Sequence, residues 1–205
     1  MSKINKIFLF FIISMWVFIT GHKTFADVSS TKLAPEFTLT DTNGKAQSLS
    51  SFKGKYVVLE WTNPDCPFVK KHYDSGNMQQ LQATYTAKDV IWLAINSSAA
   101  GKQGNYSSSE WNRIMKERKA NVTAILLDPD GKVGKMYGAE TTPHMFIVDP
   151  QGVLIYQGAI DNKPGTDIAD ISGATNYVRD TLEAVMAGKP VPRIWTKSYG
   201  CSVKY

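Results

Sequence analysis

Tyr56-Val57-Val58-Leu59-Glu60-Trp61-Thr62-Asn63-Pro64-Asp65-Cys66-Pro67-Phe68-Val69-Lys70-Lys71-His72 is the stretch on which the fold turns. Residues 56–61 are a dense β-branched and aromatic run after Lys53-Gly54-Lys55, which predicts a strand buried on both faces. From 67 to about 85, apolar residues recur at Phe68, Tyr73, Met78, Leu81 and Tyr85, a helical spacing. Proline favours the first helical position, so Cys66 is predicted to be the N-cap. A thiol there faces unpaired backbone N–H groups and the positive end of the helix dipole. Both favour the thiolate and draw its pKa below the free value of about 8.5. Lys70 and Lys71 add positive charge, and Asp65 opposes it. The plainer alternative is a buried, inert cysteine.

Working outward, the strand-then-helix alternation repeats. Residues 36–39 read as a strand ending in the Asp41-Thr42-Asn43-Gly44 turn. Residues 90–95 read as a strand, 109–119 as a helix capped by a serine, and 124–127 as a strand closed by Asp128-Pro129-Asp130-Gly131. Residues 145–148 and 153–156 flank Asp149-Pro150-Gln151-Gly152, a hairpin signal. Residues 171–186 read as the last helix, stopped by Gly188 and Pro190. The Ser-, Gly- and Ala-rich stretch 97–108 reads as a surface loop, and 192–205 shows no period. Strands alternating with helices predict one α/β domain, with a parallel or mixed central sheet covered on both faces.

The 205 residues are 43% apolar and 20% charged, which is globular composition of single-domain length. The formal charge of +5 is unevenly placed, because Lys3, Lys6 and Lys23 fall in residues 1–26 and no acid does. The remainder is close to neutral, which argues against nucleic acid as a partner. A basic start, the apolar run 7–19 and the Thr24-Phe25-Ala26 exit together read as a signal peptide over 1–26. The apolar run is shorter than the roughly 20 residues a membrane span needs, so membrane association arises only if this segment stays on as an anchor. The expected mature chain, 27–205, is then an exported protein, periplasmic or extracellular, in a compartment where disulfides persist.

Cys66 and Cys201 are the two cysteines. One reading makes them a structural disulfide, and the other makes one thiol chemical and the second its resolving partner.

A further marker is Thr141-Thr142-Pro143-His144-Met145-Phe146-Ile147-Val148-Asp149. The order strand, Cys-Pro helix, strand, helix, strand, Thr-Pro strand, hairpin, helix resembles the thioredoxin fold. That resemblance implies a cis Thr142–Pro143 bond beside Cys66, with the Thr142 backbone free to pair with a substrate chain. Within that fold the chain resembles the redoxin group, the alkyl hydroperoxide reductase and thiol-specific antioxidant family. It is similar to secreted members through Asn63-Pro64-Asp65-Cys66-Pro67-Phe68-Val69-Lys70, Thr142-Pro143, Tyr156-Gln157-Gly158-Ala159-Ile160-Asp161 and the ending Gly200-Cys201-Ser202-Val203-Lys204-Tyr205. Two departures matter. Val69 and Asn63 stand where a disulfide reductase would complete Cys-x-x-Cys, and Asn63 and Leu59 replace the threonine and proline of a typical peroxiredoxin.

The resemblance implies a thiol oxidoreductase of antioxidant type that needs no cofactor. Cys66 attacks an O–O or S–S bond, and a peroxide would leave a sulfenic acid that Cys201 resolves. Asn63 is the candidate polar contact to substrate, with Thr142 and Pro143 lining the site. The implied partners are a peroxide or disulfide substrate and a thiol electron donor. Two other classes stay open: thiol–disulfide exchange on exported proteins, and a binding module with a structural thiol. His144 is a candidate for tuning the thiol. Glu60 is either a buried proton shuttle or a strand-edge carboxylate facing water. The two histidines beyond the N-terminal segment, His72 and His144, lack the spacing of a metal site.

Overall fold

A computed structural model describes residues 32–205, so the segment read as a signal peptide lies outside the described residues. In chain order the strands are β1 (Thr38–Asp41), β2 (Ala46–Ser48), β3 (Val57–Trp61), β4 (Ile91–Asn96), β5 (Ala124–Leu127), β6 (Thr141–Thr142), β7 (His144–Val148), β8 (Leu154–Gly158) and β9 (Cys201–Ser202). The α-helices are α1 (Pro67–Asp74), α2 (Asn77–Thr86), α3 (Ser108–Glu117), α4 (Lys132–Tyr137) and α5 (Tyr177–Met186). Seven strands form one mixed sheet in the order β2-β1-β5-β4-β3-β7-β8, with β3, β4 and β5 parallel and β7 antiparallel to β3. β6 and β9 make a separate two-stranded ribbon.

β3 is central because four of its five residues are apolar, Glu60 being the exception, and all five are buried. Alternation sends Val58 to one layer with Cys66, Val69, Tyr73, Trp92, Met145 and Ile147. Val57, Leu59 and Trp61 go to the other, with Leu93, Ile95, Phe146 and Val148. The thioredoxin-like α/β architecture expected from the sequence is present, and the turn that carries Cys66 leaves the end of a fully buried strand.

Several local expectations are corrected. The helix read over 67–85 is two helices, because Gly76 turns left-handed (φ 77°) between α1 and α2. The last helix begins at Tyr177 rather than 171, since the Asn176 side chain accepts from Arg179 N and Ile171 sits in a 3-10 turn. The strand expected over 36–39 lies at Thr38–Asp41, and β2 and α4 carry no sequence period long enough to predict them. Ser97, read as the start of a surface loop, is buried; it accepts from Trp61 Nε1 (3.0 Å) and donates to Asp128 (2.6 Å). The serine-capped helix is α3, where Ser107 and Glu110 form a capping box. The aperiodic tail is docked throughout its final residues, as the site shows.

Candidate active site

Cys66 is the N-cap of α1 with Pro67 at N1, and it is 0% exposed. Its Sγ donates to the Thr142 carbonyl at 3.0 Å. The Thr142–Pro143 bond is cis, as the thioredoxin resemblance implies. The Thr142 backbone is not free, however. It lies opposite Cys201 in an antiparallel register, with Thr141 opposite Ser202. The chain's own tail therefore occupies the edge where a substrate strand was expected, and it carries the second cysteine. Both cysteines are free thiols.

The tail is held at four places. Beside the outer strand, Gln157 N donates to Ile194 O and Thr196 N to Gln157 O, both at 3.1 Å. Thr196 Oγ1 accepts from Ala159 N (2.9 Å) and meets Tyr156 Oη (2.7 Å). Tyr199 Oη donates to Asp161 Oδ1 at 2.6 Å and lies 3.1 Å from His72 Nε2. Past the ribbon, Val203 N donates to Glu140 O, Ala99 N donates to Lys204 O, and Tyr205 Oη donates to Ala139 O. Four glycines make room, with Gly131 facing the Tyr205 ring and Gly158 facing Thr196. A Cβ at Gly200 (φ 139°) would run into the Thr142 carbonyl, and one at Gly134 would sit 2.5 Å from Tyr205 Oη. The tail crosses the end of the sheet, so Tyr199 and Cys201 pack on the Cys66 layer and Val203 on the other.

Electrostatics separate the two thiols. Burial works against the Cys66 thiolate, but hydrogen bonds from Cys201, Thr142 and the backbone at Val69 and Cys201 outweigh it and hold the pKa below its ordinary value. The bond to the Thr142 carbonyl serves the protonated sulfur. The Thr142 hydroxyl, buried with no other partner, serves the thiolate. Cys201 is pushed up to about 11 by burial, by its bond to Cys66 and by the charge on Cys66. Of the pair, Cys66 is the one whose thiolate the surroundings favour.

Other sequence candidates fall elsewhere. Asn63 is buried with both ends of its amide engaged: Oδ1 accepts from Asp65 N (3.0 Å) within its own turn, and Nδ2 donates to Gln103 O (3.2 Å) in the 97–108 stretch. Its amide is not presented to a substrate. Pro143 flanks the ribbon directly. His144 shares a face with Phe146, whose ring lies 4.5 Å away, so it faces the layer opposite Cys66 and does not tune the thiol directly. Lys71 Nζ is turned to Lys163 O (2.7 Å) and Gly165 O (3.1 Å), away from the thiol's service.

Glu60 is no strand-edge residue. It is 0% exposed in the central strand and accepts from Tyr73 Oη (2.9 Å), Gln82 Nε2 (3.1 Å) and Trp92 Nε1 (2.8 Å). Burial still raises its pKa against those bonds. Among the described residues, no group of three or more His, Cys, Asp or Glu is placed to hold a metal ion, and no helix is long and apolar enough to cross a membrane.

The tail's contribution was hidden from sequence reasoning. Tyr199 belongs to no motif, and although Asp161 and the ending 200–205 carry the redoxin resemblance, nothing in their spacing pairs Tyr199 with Asp161 or lays the tail along β6.

Comparisons agree with this geometry. Thiol-disulfide oxidoreductase ResA of Bacillus subtilis is 30% identical over 122 residues, 60% of this chain and 63% of that protein. The chain thus spans under two thirds of that relative's length. Thioredoxin-like protein YneN of the same organism is 28% identical over 63% of this chain and 72% of its own. The crystal structure of an uncharacterized conserved protein from Geobacillus kaustophilus superposes with a TM-score of 0.72 at 28% identity, covering 85% of this chain and 91% of that one. The Redoxin family model matches residues 29–177, including the cysteine turn and the cis-proline strand, and the chain belongs to the redoxin family.

Proposed function

We propose that the chain is an exported thiol–disulfide oxidoreductase in which Cys66 is the nucleophile and Cys201 replaces the missing local second cysteine. The carrying observation is the register of β9 on β6, which sets Cys201 opposite the residue whose carbonyl holds the Cys66 thiol. Similarity to ResA supports exchange over peroxide reduction. The basic, apolar and small-residue run over 1–26 supports export.

The chemistry balances with these two sulfurs. With the tail lifted, Cys66 thiolate attacks one sulfur of a substrate disulfide, forming a mixed disulfide and expelling the other sulfur as a thiolate. The Cys201 thiol then gives its proton to that leaving thiolate or to water and attacks the Cys66 sulfur. The substrate leaves as a dithiol, two electrons richer, and the chain holds a Cys66–Cys201 disulfide. Once Cys66 is in the mixed disulfide it carries no charge, and one cause of the raised Cys201 pKa is gone.

Peroxide reduction would use the same pair through a Cys66 sulfenic acid. It is disfavoured because the Asn63 amide, the polar group expected to contact a peroxide, is already committed to Asp65 N and Gln103 O. Insulin reduction with a dithiol donor, run beside peroxide consumption, tests the choice. The expected result is disulfide reduction lost in Cys66→Ser, with slow peroxide turnover. Fast peroxide turnover without insulin reduction would reverse the assignment.

A further inference from the structure

Thioredoxin-like exchange is usually pictured as passing through one exposed sulfur. Here the exposures are reversed. Cys66 is 0% exposed beneath the ribbon, whereas Cys201 is only half-buried on β9. The tail that covers Cys66 is fastened on both sides of Cys201, by Tyr199 to Asp161 and by Tyr205 to Ala139. Both sulfurs are reduced in this structure, and a Cys66–Cys201 bond would add a covalent fastening to the docked tail. A thiol arriving from solvent would then meet the part-exposed Cys201 before the fully buried Cys66.

We propose that reducing thiols enter at Cys201, so that the mixed disulfide with the electron donor forms on the tail cysteine while substrate disulfides are attacked by Cys66. The inference rests on the proposed function, since it needs the Cys66–Cys201 disulfide. The step is an in-line displacement. The donor thiolate attacks the Cys201 sulfur, the Cys66–Cys201 bond breaks, and Cys66 leaves as a thiolate. A second donor thiolate then attacks the donor sulfur of that mixed disulfide and frees Cys201. The donor is oxidised to its disulfide, and both chain sulfurs are reduced.

Leaving-group chemistry runs the same way as access. The sulfur of lower pKa departs faster, and hydrogen bonding from Thr142 and the helix N-terminus favours the Cys66 thiolate. The opposite attack, on Cys66, would have to expel Cys201 and reach a sulfur with no exposed surface. The two half-reactions of the cycle therefore use different sulfurs, and the tail is out for one and docked for the other.

The probe is reduced glutathione. Full-length protein is oxidised with diamide, freed of oxidant, mixed with glutathione for milliseconds to seconds, quenched in acid and alkylated. Tryptic peptides 56–70 and 198–204 separate the two cysteines. Glutathione on Cys201 in at least tenfold excess, with alkylated Cys66, is the expected result. Glutathione mainly on Cys66, or shared equally, overturns the inference while leaving the disulfide and the proposed function standing. If diamide produces no Cys66–Cys201 disulfide, the proposed function fails and this inference fails with it.

Discussion

Tyr199 donates its hydroxyl hydrogen to Asp161 at 2.6 Å, and this bond fixes the backbone two residues before Cys201. Asn77 Nδ2 lies 2.9 Å from His72 Nδ1, so the ring proton of His72 sits on Nε2 and points toward Tyr199 and Asp161. The tail cysteine is thus positioned by a buried polar cluster beneath α1, the helix that Cys66 caps.

Tyr199→Phe keeps the ring against Phe68 and removes the hydroxyl, leaving Asp161 Oδ1 with only the Lys163 N–H. The expected cost is about 1–3 kcal/mol. That loss falls on tail docking, so alkylation of Cys66 in the reduced protein should quicken by about tenfold or more. Urea unfolding and timed alkylation read the two effects. Unchanged Cys66 labelling would mean that Tyr199 does not fasten the tail.

Gly200→Ala places a methyl group against the Thr142 carbonyl at a φ of 139°. The sheet should fold as before, while β9 leaves β6. Formation of the Cys66–Cys201 disulfide in a glutathione buffer should become at least tenfold less favourable. A wild-type disulfide equilibrium in this variant would contradict the register described for the ribbon.

Cys201→Ala removes a donor to the Cys66 thiolate. The Cys66 pKa should therefore rise from its depressed position toward the free value of about 8.5. Iodoacetamide rates against pH in wild type and variant give the comparison. A pKa that stays put or falls would assign the depression to the helix terminus and Thr142 alone.

Glu60→Ala would strand three buried donors, on Tyr73, Gln82 and Trp92. At about 1–3 kcal/mol per unsatisfied group, the loss of stability should reach about 3 kcal/mol or more. A variant as stable as wild type but slowed in exchange would instead point to the proton-shuttle role.

His72 and His144 are both lowered to about 4, in each case chiefly by burial. The Asp161 carboxylate pulls His72 back up and Lys71 pushes it down, without reversing the outcome. Between about 6.5 and 4 the unfolded chain binds protons that the folded chain refuses. Stability present above pH 6.5 is therefore lost as pH falls through this window, by about 1 kcal/mol per pH unit for each histidine. Chemical denaturation of the reduced protein at pH 7, 6 and 5 should show the decline, and His144→Gln should reduce its slope. A flat profile over that range would contradict two neutral buried histidines.

The sequence showed most of what depends on local pattern. The apolar run at 57–61 and the proline after Cys66 each predicted a backbone state that the structure contains, while the cis Thr142–Pro143 bond came from the thioredoxin resemblance and not from local pattern. Features set by distant contact stayed hidden. β9 is two residues long and has no period, and its position depends on Thr142, Asp161 and Ala139, far away in the chain. Asn63 looked like a substrate contact because its residue type suits one, yet its amide closes its own turn through Asp65 N and ties that turn to the distant Gln103 carbonyl. Nothing in the sequence around Gly134 or Gly200 shows that the tail or its docking partner passes too close for a side chain.

The docked tail also imposes an order in time. A polypeptide is made from its amino end, so Cys66 and the groove beside Pro143 are complete long before Tyr199, Cys201 and Tyr205 exist to cover them. During that interval the nucleophilic sulfur has neither its lid nor its redox partner. On the proposed chemistry a nascent chain is accordingly at its most promiscuous just before synthesis reaches the tail, when Cys66 can open a foreign disulfide, expel one half as a thiolate and hold the other until Cys201 arrives to displace it.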